Sequence, residues 1–264
     1  MQKVNLTTVQ DLSRIFMHPS TVLYRSIELR QIYFYCKDIK FKSPSLDIGC
    51  GDGKLSSILF NNRFTFGLDN GEAHDYQEAI KYKRYEKVLL ESAEKMSLYD
   101  NSVNFIFSNS VLEHIPNIDS VLKETSRVLN KGGYFVFTTP SKYFKEYITL
   151  CDFFNLVGLK MINKMYSKYR NKALNHYHLH DHKYYMVILR SYGLEVVYHS
   201  YSVSKEVIKQ WDKMALKIKF YKLFGINLEK KVKEQEQGKI IEMYENDKIN
   251  QNEGANLLIV AKKM

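Results

Sequence analysis

The chain has 264 residues, a net charge of +10, and 20 tyrosines and 15 phenylalanines against 12 glycines and 4 prolines. That is enough apolar mass for one well-buried core, and it excludes a disordered or collagen-like chain. Three scattered cysteines, Cys36, Cys50 and Cys151, exclude a disulfide framework and a paired-cysteine metal site, and no apolar run approaches the roughly 20 residues of a membrane span.

The first forty residues read as helical. Ser20 suits a helix cap, and Val22, Leu23, Ile27, Leu29, Ile32 and Phe34 form an apolar side. Leu46 and Ile48 then suit a buried strand. Gly49, Gly51 and Gly53 follow so closely that the backbone must turn sharply where a bulky ligand can approach. Residues 54–60 carry Leu55, Ile58 and Leu59 at helical spacing, so the amides of the turn point at whatever sits above the strand end. The spacing is G-x-G-x-G, not the G-x-G-x-x-G of dinucleotide enzymes. Residues 64–68 read as a second strand, ending sixteen positions past Gly53 in Asp69, a carboxylate placed to accept from two ribose hydroxyls.

A helix over 73–83 and a short strand over 87–90 lead to Ser92, Ala93 and Glu94. Residues 103–108 are continuously apolar, as a central parallel strand should be, and end in Ser108-Asn109-Ser110 at the edge where open α/β sheets bind ligands. Glu113 and His114 follow. An amphipathic helix over 119–129 and an aromatic and β-branched strand over 134–138 continue the alternation of strand and helix, the signature of a parallel sheet wound with helices on both faces.

Four segments in this order resemble the successive motifs of class I S-adenosylmethionine-dependent methyltransferases: LDIGCGDG (46–53), GLDN (67–70), SAEKMSLYDNSVNFIFSNSVLEHIPN (92–117) and RVLNKGGYFVFTTPS (127–141). They look most like the branch that includes the ubiquinone and menaquinone enzymes. The resemblance implies an α/β, Rossmann-like, doubly wound seven-stranded sheet, mostly parallel with the last strand antiparallel, carrying helical lid insertions. It implies S-adenosyl-L-methionine as cofactor and S-adenosyl-L-homocysteine as product. Asp47, Gly49, Cys50 and Gly51 would form the cofactor turn, and Asp69 and Asn70 would meet the ribose. Ser92, Ala93 and Glu94 would meet the adenine, with Ser92 where the family usually has Asp. Asn109 and Ser110 would flank the methionine end. In related enzymes a leading helix closes over the cofactor, which would make Arg25 a bidentate partner for the methionine carboxylate, unless it simply pairs with Glu28 one turn on. His114 would lie beside the transferred methyl as general base, or tie down the turn before Pro116.

Beyond Ser141 the regularity breaks and the charge changes. Residues 1–140 hold 17 Lys or Arg against 16 Asp or Glu, net +1; residues 141–264 hold 22 against 13, net +9. The basic half suits an anionic partner or a solvated lysine-rich surface. Residues 143–159 are crowded with apolar side chains, for a core helix or the wall of a lid. His176, His178, His180 and His182 then alternate, as if on one face of a strand. His178 or His180 is a second candidate base, surface or packing roles being the alternative, and no metal is required. A helix over 183–192 and strands over 194–199 and 256–261 complete the sheet. Within 202–253, residues 205–224 form a basic amphipathic helix with Trp211 on its apolar side, suited to a membrane interface or to packing on the domain.

The expected organisation is one methyltransferase domain over 1–264. It has a helical cap (1–40), a cofactor core (41–140), substrate-side insertions (141–192 and 202–253) and edge strands (194–200 and 256–262). Methyl transfer from a sulfonium needs in-line positioning and, for oxygen, proton removal, so a strong cofactor signature with a vague catalytic one is what such a chain should show. Ser108-Asn109-Ser110-Val111 lacks the Asn/Asp-Pro-Pro-aromatic pattern of the enzymes that methylate exocyclic base amines. The expected activity is O-methylation of a small-molecule, sugar or lipid-linked acceptor in the cytoplasm, with peripheral membrane contact through 205–224 and nucleic acid disfavoured. The alternatives are an RNA or protein methyltransferase recruited by the basic half, and a non-catalytic binder of the cofactor or its product.

Overall fold

The computed structural model describes residues 3–264, apart from the side chains of Asp152 and Asn155. Seven strands form one sheet: β1 (Ser45–Ile48), β2 (Phe64–Asp69), β3 (Tyr85–Leu90), β4 (Val103–Asn109), β5 (Leu129–Pro140), β6 (Leu194–Ser202) and β7 (Asn256–Lys263), in the spatial order 3-2-1-4-5-7-6. β7 runs antiparallel to both its neighbours, and the other pairings are parallel. Every residue of β1 is buried, as the apolar run predicts for a strand covered on both faces. The chain winds outward from β1 through β2 to β3, then returns to place β4 on the other side of β1. The order therefore reverses between β1 and β4, and the crevice beyond their carboxyl ends is the expected ligand position.

Helices α3 (Lys54–Leu59), α4 (Tyr76–Lys81) and α5 (Ile118–Val128) connect these strands. The predicted elements are all present with shifted ends. β5 is the largest shift, reaching back through Gly132-Gly133: Val103 pairs with Leu129 and Phe105 with Tyr134, so residues 130–133 bulge out of the ladder.

The amino-terminal stretch forms α1 (Val9–Ile15), closed by a capping box between Thr8 and Asp11, and α2 (Pro19–Cys36). His18, not Ser20, stands at the cap position of α2, with Pro19 as the first helical residue; the Ser20 hydroxyl instead meets His18 Nδ1 at 2.7 Å. Within α2, Val22, Leu23, Ile27, Leu29 and Ile32 are buried as the periodicity predicts, whereas Phe34 is exposed.

The remaining helices are α6 (Lys142–Tyr147), α7 (Thr149–Leu156), α8 (Lys160–Ala173), α9 (His182–Ser191), α10 (Lys205–Lys222) and α11 (Glu229–Asn246). α10 and α11 pack on α2. Val207, Ile208, Met214 and Ile218 of α10 are buried there, so the apolar side of this basic helix lies against the domain. α8 joins the body through Arg170, whose Nη2 meets Asp212 Oδ1 of α10 at 2.7 Å, while Met161, Met165 and Tyr169 face outward. Among the described residues no helix is long and apolar enough to cross a membrane.

Candidate active site

The turn after β1 is shaped by backbone contacts that leave no room for side chains. Gly49 has φ +72°, and a Cβ there would stand 2.3 Å from Val111 Cγ2. The amides of Gly49 and Cys50 donate to Leu68 O at 2.8 and 3.0 Å, tying the turn to the end of β2. Asp69 sits at that end, half-buried, and each carboxylate oxygen is aimed by an amide: Gly51 N donates to Oδ2 at 3.1 Å and Gly71 N to Oδ1 at 2.8 Å. A carboxylate oxygen has two acceptor sites, so each keeps one for a ligand.

Behind the turn, buried Asp47 accepts from Ser56 Oγ at 2.5 Å and Tyr85 Oη at 2.6 Å. Burial pushes its carboxyl up to about 6 against the pull of those two bonds. Asp47 thus braces the turn from the protein side. Cys50 is also buried, and desolvation drives its thiol far above the ordinary range, the inert state of a packing cysteine.

At the end of β4, Asn109 Nδ2 donates to Thr138 Oγ1 at 2.6 Å. Ser110 adopts φ +50°, a left-handed conformation uncommon outside glycine. Arg25 Nη1 reaches down from α2 to Glu28 Oε2 at 2.5 Å, Ser110 Oγ at 2.8 Å and Asn109 Oδ1 at 3.1 Å, and Ser110 Oγ donates to Glu28 Oε1 at 2.8 Å. The leading helix is therefore bolted to the strand end by one guanidinium and one buried carboxylate.

Beside this junction lies a cavity of about 230 Å³. Tyr24 and Arg25 of α2, Ser110, Glu113 and His114 after β4, and Phe144, His176 and Trp211 of the insertions enclose it. Glu113 is 1 % exposed, and its Oε2 has no hydrogen-bond partner. Burial pushes the Glu113 carboxyl up to about 8, partly offset by its own backbone amide and by Arg25. His114 Nδ1 faces Asn175 O at 3.1 Å, and burial lowers its pKa. Burial, and secondarily the neighbouring His114, lowers His176 to about 4.

Residues 46–137 match the family model described as a methyltransferase domain. These residues are a methyltransferase domain of the class I, S-adenosylmethionine-dependent kind. Among similar proteins is the ubiquinone biosynthesis O-methyltransferase of Photobacterium profundum, 26% identical over 151 residues that cover 54% of this chain and 57% of that one. The enzyme of the same name from Pseudomonas fluorescens is 30% identical over 129 residues, covering 46% and 52%. The chain thus spans about half the length of the curated relatives it matches. Among solved structures, an S-adenosylmethionine-dependent methyltransferase of Thermotoga maritima superposes with a TM-score of 0.58 at 19% identity, covering 97% of this chain and 96% of that one. Geranyl diphosphate methyltransferase, solved with S-adenosylmethionine, gives 0.55 at 14% identity over 93% and 90%. These two likenesses concern the fold.

The methyltransferase cofactor cradle fits the residues present. A Cβ on Gly51 would already stand 3.1 Å from Asp75 Oδ2, so the bare main chain of the turn is what leaves a ligand space beside the anchored Asp69. Asn70 is exposed, with its Oδ1 accepting from Glu72 N at 3.1 Å, and Ser92, also exposed, likewise accepts from Glu94 N at 3.2 Å. Ala93 is buried and Glu94 half-buried. Gly49, Gly51, Asp69, Asn109, Ser110 and Arg25 come together around the crevice, whereas the side chains of Asp47 and Cys50 point into the packing behind it.

The alternating histidines do not share a face. His176 joins His114, with ring centroids 5.3 Å apart; His178 Nε2 meets the carbonyls of Ile115 and Pro116 at 3.0 and 2.9 Å. His180 stacks on Tyr184 at 3.6 Å, and His182 starts α9 and stacks on His199 at 4.0 Å. Of the three histidines considered as bases, His114 lines the cavity; His178 and His180 are outside its wall. His176, Trp211 and Tyr24 line it without a signal in the sequence, because each comes from a different element and only the tertiary fold brings them together.

Proposed function

We propose that this chain transfers a methyl group from S-adenosyl-L-methionine to an oxygen of a small-molecule, sugar or lipid-linked acceptor. The carrying observation is the cavity beside Ser110: Phe144, Trp211 and His176 on the insertion side, with Glu113 and His114 on the strand side. The cofactor supplies a methyl already activated by its sulfonium leaving group. On this reading Asp69 and the glycine turn would hold the adenosyl end, and Arg25, which pairs with Glu28 as the sequence alternative had it, would in addition take the methionine carboxylate.

A cavity of about 230 Å³ is below the roughly 300–1,000 Å³ of sites that enclose a drug-sized ligand. It therefore suits the reacting end of a larger acceptor, whose remainder lies outside. Phe144 and Trp211, packed edge to face at 5.7 Å, give that end a flat wall. If Nδ1 of His114 donates to Asn175 O, Nε2 keeps its lone pair toward the cavity and can take the acceptor's proton. The kinship with ubiquinone biosynthesis O-methyltransferases supports oxygen as the acceptor atom.

The test incubates the protein with methyl-labelled S-adenosylmethionine and fractionated lysate, lipid fraction included. Label in a small organic or lipid-linked acceptor is the expected result. Label confined to RNA or protein would replace this reading with a macromolecular one. No change in melting temperature with millimolar S-adenosylmethionine or S-adenosylhomocysteine would overturn it.

A further inference from the structure

We propose that a lysine-lined groove next to the cavity binds a phosphoryl group of the methyl acceptor, which is therefore a phosphate or diphosphate ester. The groove, of about 560 Å³, is walled by α8 and the chain just after it. Lys164, Lys168 and Lys172 recur every fourth residue along one side of α8, and Lys145 of α6 joins them. No carboxylate lines the groove, and no ion pair among the described residues includes any of these four lysines. Like charges four residues apart destabilise a helix, so the stripe is a standing cost that a bound anion relieves.

Two observations join the groove to the reaction. His176 stands in the wall of both the groove and the cavity beside Ser110. The cavity holds only the reacting end of the acceptor, and the groove gives the remainder a place on the other side of that imidazole. At this corner His176 Nδ1 and Asn171 Oδ1 are buried without hydrogen-bond partners, while His176 N donates to Asn171 O at 2.9 Å and so fixes the two residues together. A ligand crossing from cavity to groove would supply the missing partners.

The residue types select the anion. A phosphate monoester carries about −1.5 to −2 charge near neutral pH and three strong acceptor oxygens, more than a carboxylate offers. Arginine's fork matches planar carboxylates, whereas lysine binds phosphate as a point charge, and the groove holds four lysines and no arginine. A run of nucleic-acid bases would need a row of stacking aromatics, and Tyr177 is the one phenol ring in the lining. Identifying the bound phosphate as part of the acceptor rests on the methyltransferase reading; anion binding in the groove does not.

The experiment first titrates the full chain with inorganic pyrophosphate by calorimetry at fixed ionic strength. One equivalent should bind, and Lys164→Gln/Lys168→Gln/Lys172→Gln should weaken it by about 10-fold or more, the combined effect of three exposed charge contacts. That variant should melt at or above the wild-type temperature, because it removes like-charge repulsion, and Lys145→Gln on a different helix should weaken binding in the same direction. Lys230→Gln/Lys231→Gln/Lys239→Gln, which removes the same charge from exposed positions of α11, should bind as wild type does. No pyrophosphate binding, or equal weakening in both triple variants, would overturn the site. The second arm follows the methyl label from fractionated lysate. The labelled product should be retained on an anion exchanger until it is treated with pyrophosphatase and alkaline phosphatase, and the α8 variant should raise KM for it by a similar factor with little change in kcat. Label extracted into butanol identifies a lipid-linked phosphate and label left in water a soluble ester, either of which supports the proposal. A neutral product, or label in RNA alone, would overturn it. Transfer to a neutral small molecule would still leave the functional reading standing, whereas pyrophosphate binding without transfer to any fraction would keep the groove and sink that reading.

Discussion

Arg25 and Ser110, 85 residues apart in the chain, share a 2.8 Å hydrogen bond that fixes α2 to the end of β4. Ser110 holds a left-handed backbone to present its hydroxyl, and Glu28, wholly buried, bonds both partners. Removing the guanidinium therefore does two things at once. It strips the leading helix of its anchor, and it leaves a carboxylate buried without its partner, a situation worth about 3–5 kcal/mol when a buried pair is broken. Arg25 is partly exposed, so the lower end applies. Arg25→Met should lower stability by about 3 kcal/mol in denaturant titrations and abolish measurable S-adenosylhomocysteine binding. Arg25→Met/Glu28→Leu should recover most of the stability and none of the binding. Recovery of both would mean that the guanidinium has no role at the cofactor.

Asp69 is expected to contribute to ligand affinity more than to the fold. Its oxygens are positioned by the amides of Gly51 and Gly71, and hydrogen bonds to a charged acceptor are worth about 1.5–3 kcal/mol each. Asp69→Ala should weaken S-adenosylhomocysteine by at least about 10-fold in calorimetry, with a melting temperature within a few degrees of wild type. Unaltered affinity would place the ribose elsewhere.

Asp47 makes a prediction about pH. Its folded carboxyl is raised to about 6 from an ordinary value of 3.8, so the folded state prefers the proton. That contribution to stability is fully present below about pH 4 and is lost as the pH rises through the folded value near 6. Two units correspond to about 3 kcal/mol. Asp47→Asn cannot ionise, so wild type should lose about that much stability relative to the variant between roughly pH 4 and 7. The difference should be flat above. Parallel stability curves for the two proteins would show that Asp47 titrates normally.

How much of this was legible beforehand follows from how each feature is encoded. The glycine turn and Asp69 were readable because a tight backbone approach demands particular residues at fixed spacing, and the sheet because buried parallel strands must be continuously apolar. The alternating histidines misled because period-2 spacing has meaning only in a pleated strand. Here His176, His178 and His180 precede the sheet's next strand as irregular chain, and His182 already starts a helix. The basic helix 205–222 showed an apolar side correctly, yet nothing local could say that α2 and not a lipid surface would cover it. His176 and Trp211 are cavity residues by virtue of where α8 and α10 are tethered, information that resides in contacts between distant segments.

That tether is the most exposed dependency of the acceptor side. Asp212 is fully buried, accepts from Arg170 Nη2 at 2.7 Å through Oδ1, and has no hydrogen-bond partner for Oδ2. None of the residues of α8 is buried, so the ion pair carries much of what holds this helix over the domain. Arg170→Met leaves a carboxylate uncompensated beside Trp211 and should cost about 3–5 kcal/mol. Part of that appears as local opening of 149–173 and not as global unfolding. Amide exchange should accelerate over α7 and α8 while β1, β4 and β5 keep their protection, and cofactor affinity should hold while acceptor turnover falls. Asp212→Asn should open the segment less, since an amide oxygen still accepts from Arg170 without a stranded charge. Equal exchange across 149–173 in wild type and Arg170→Met would show that the helix is held by its remaining contacts.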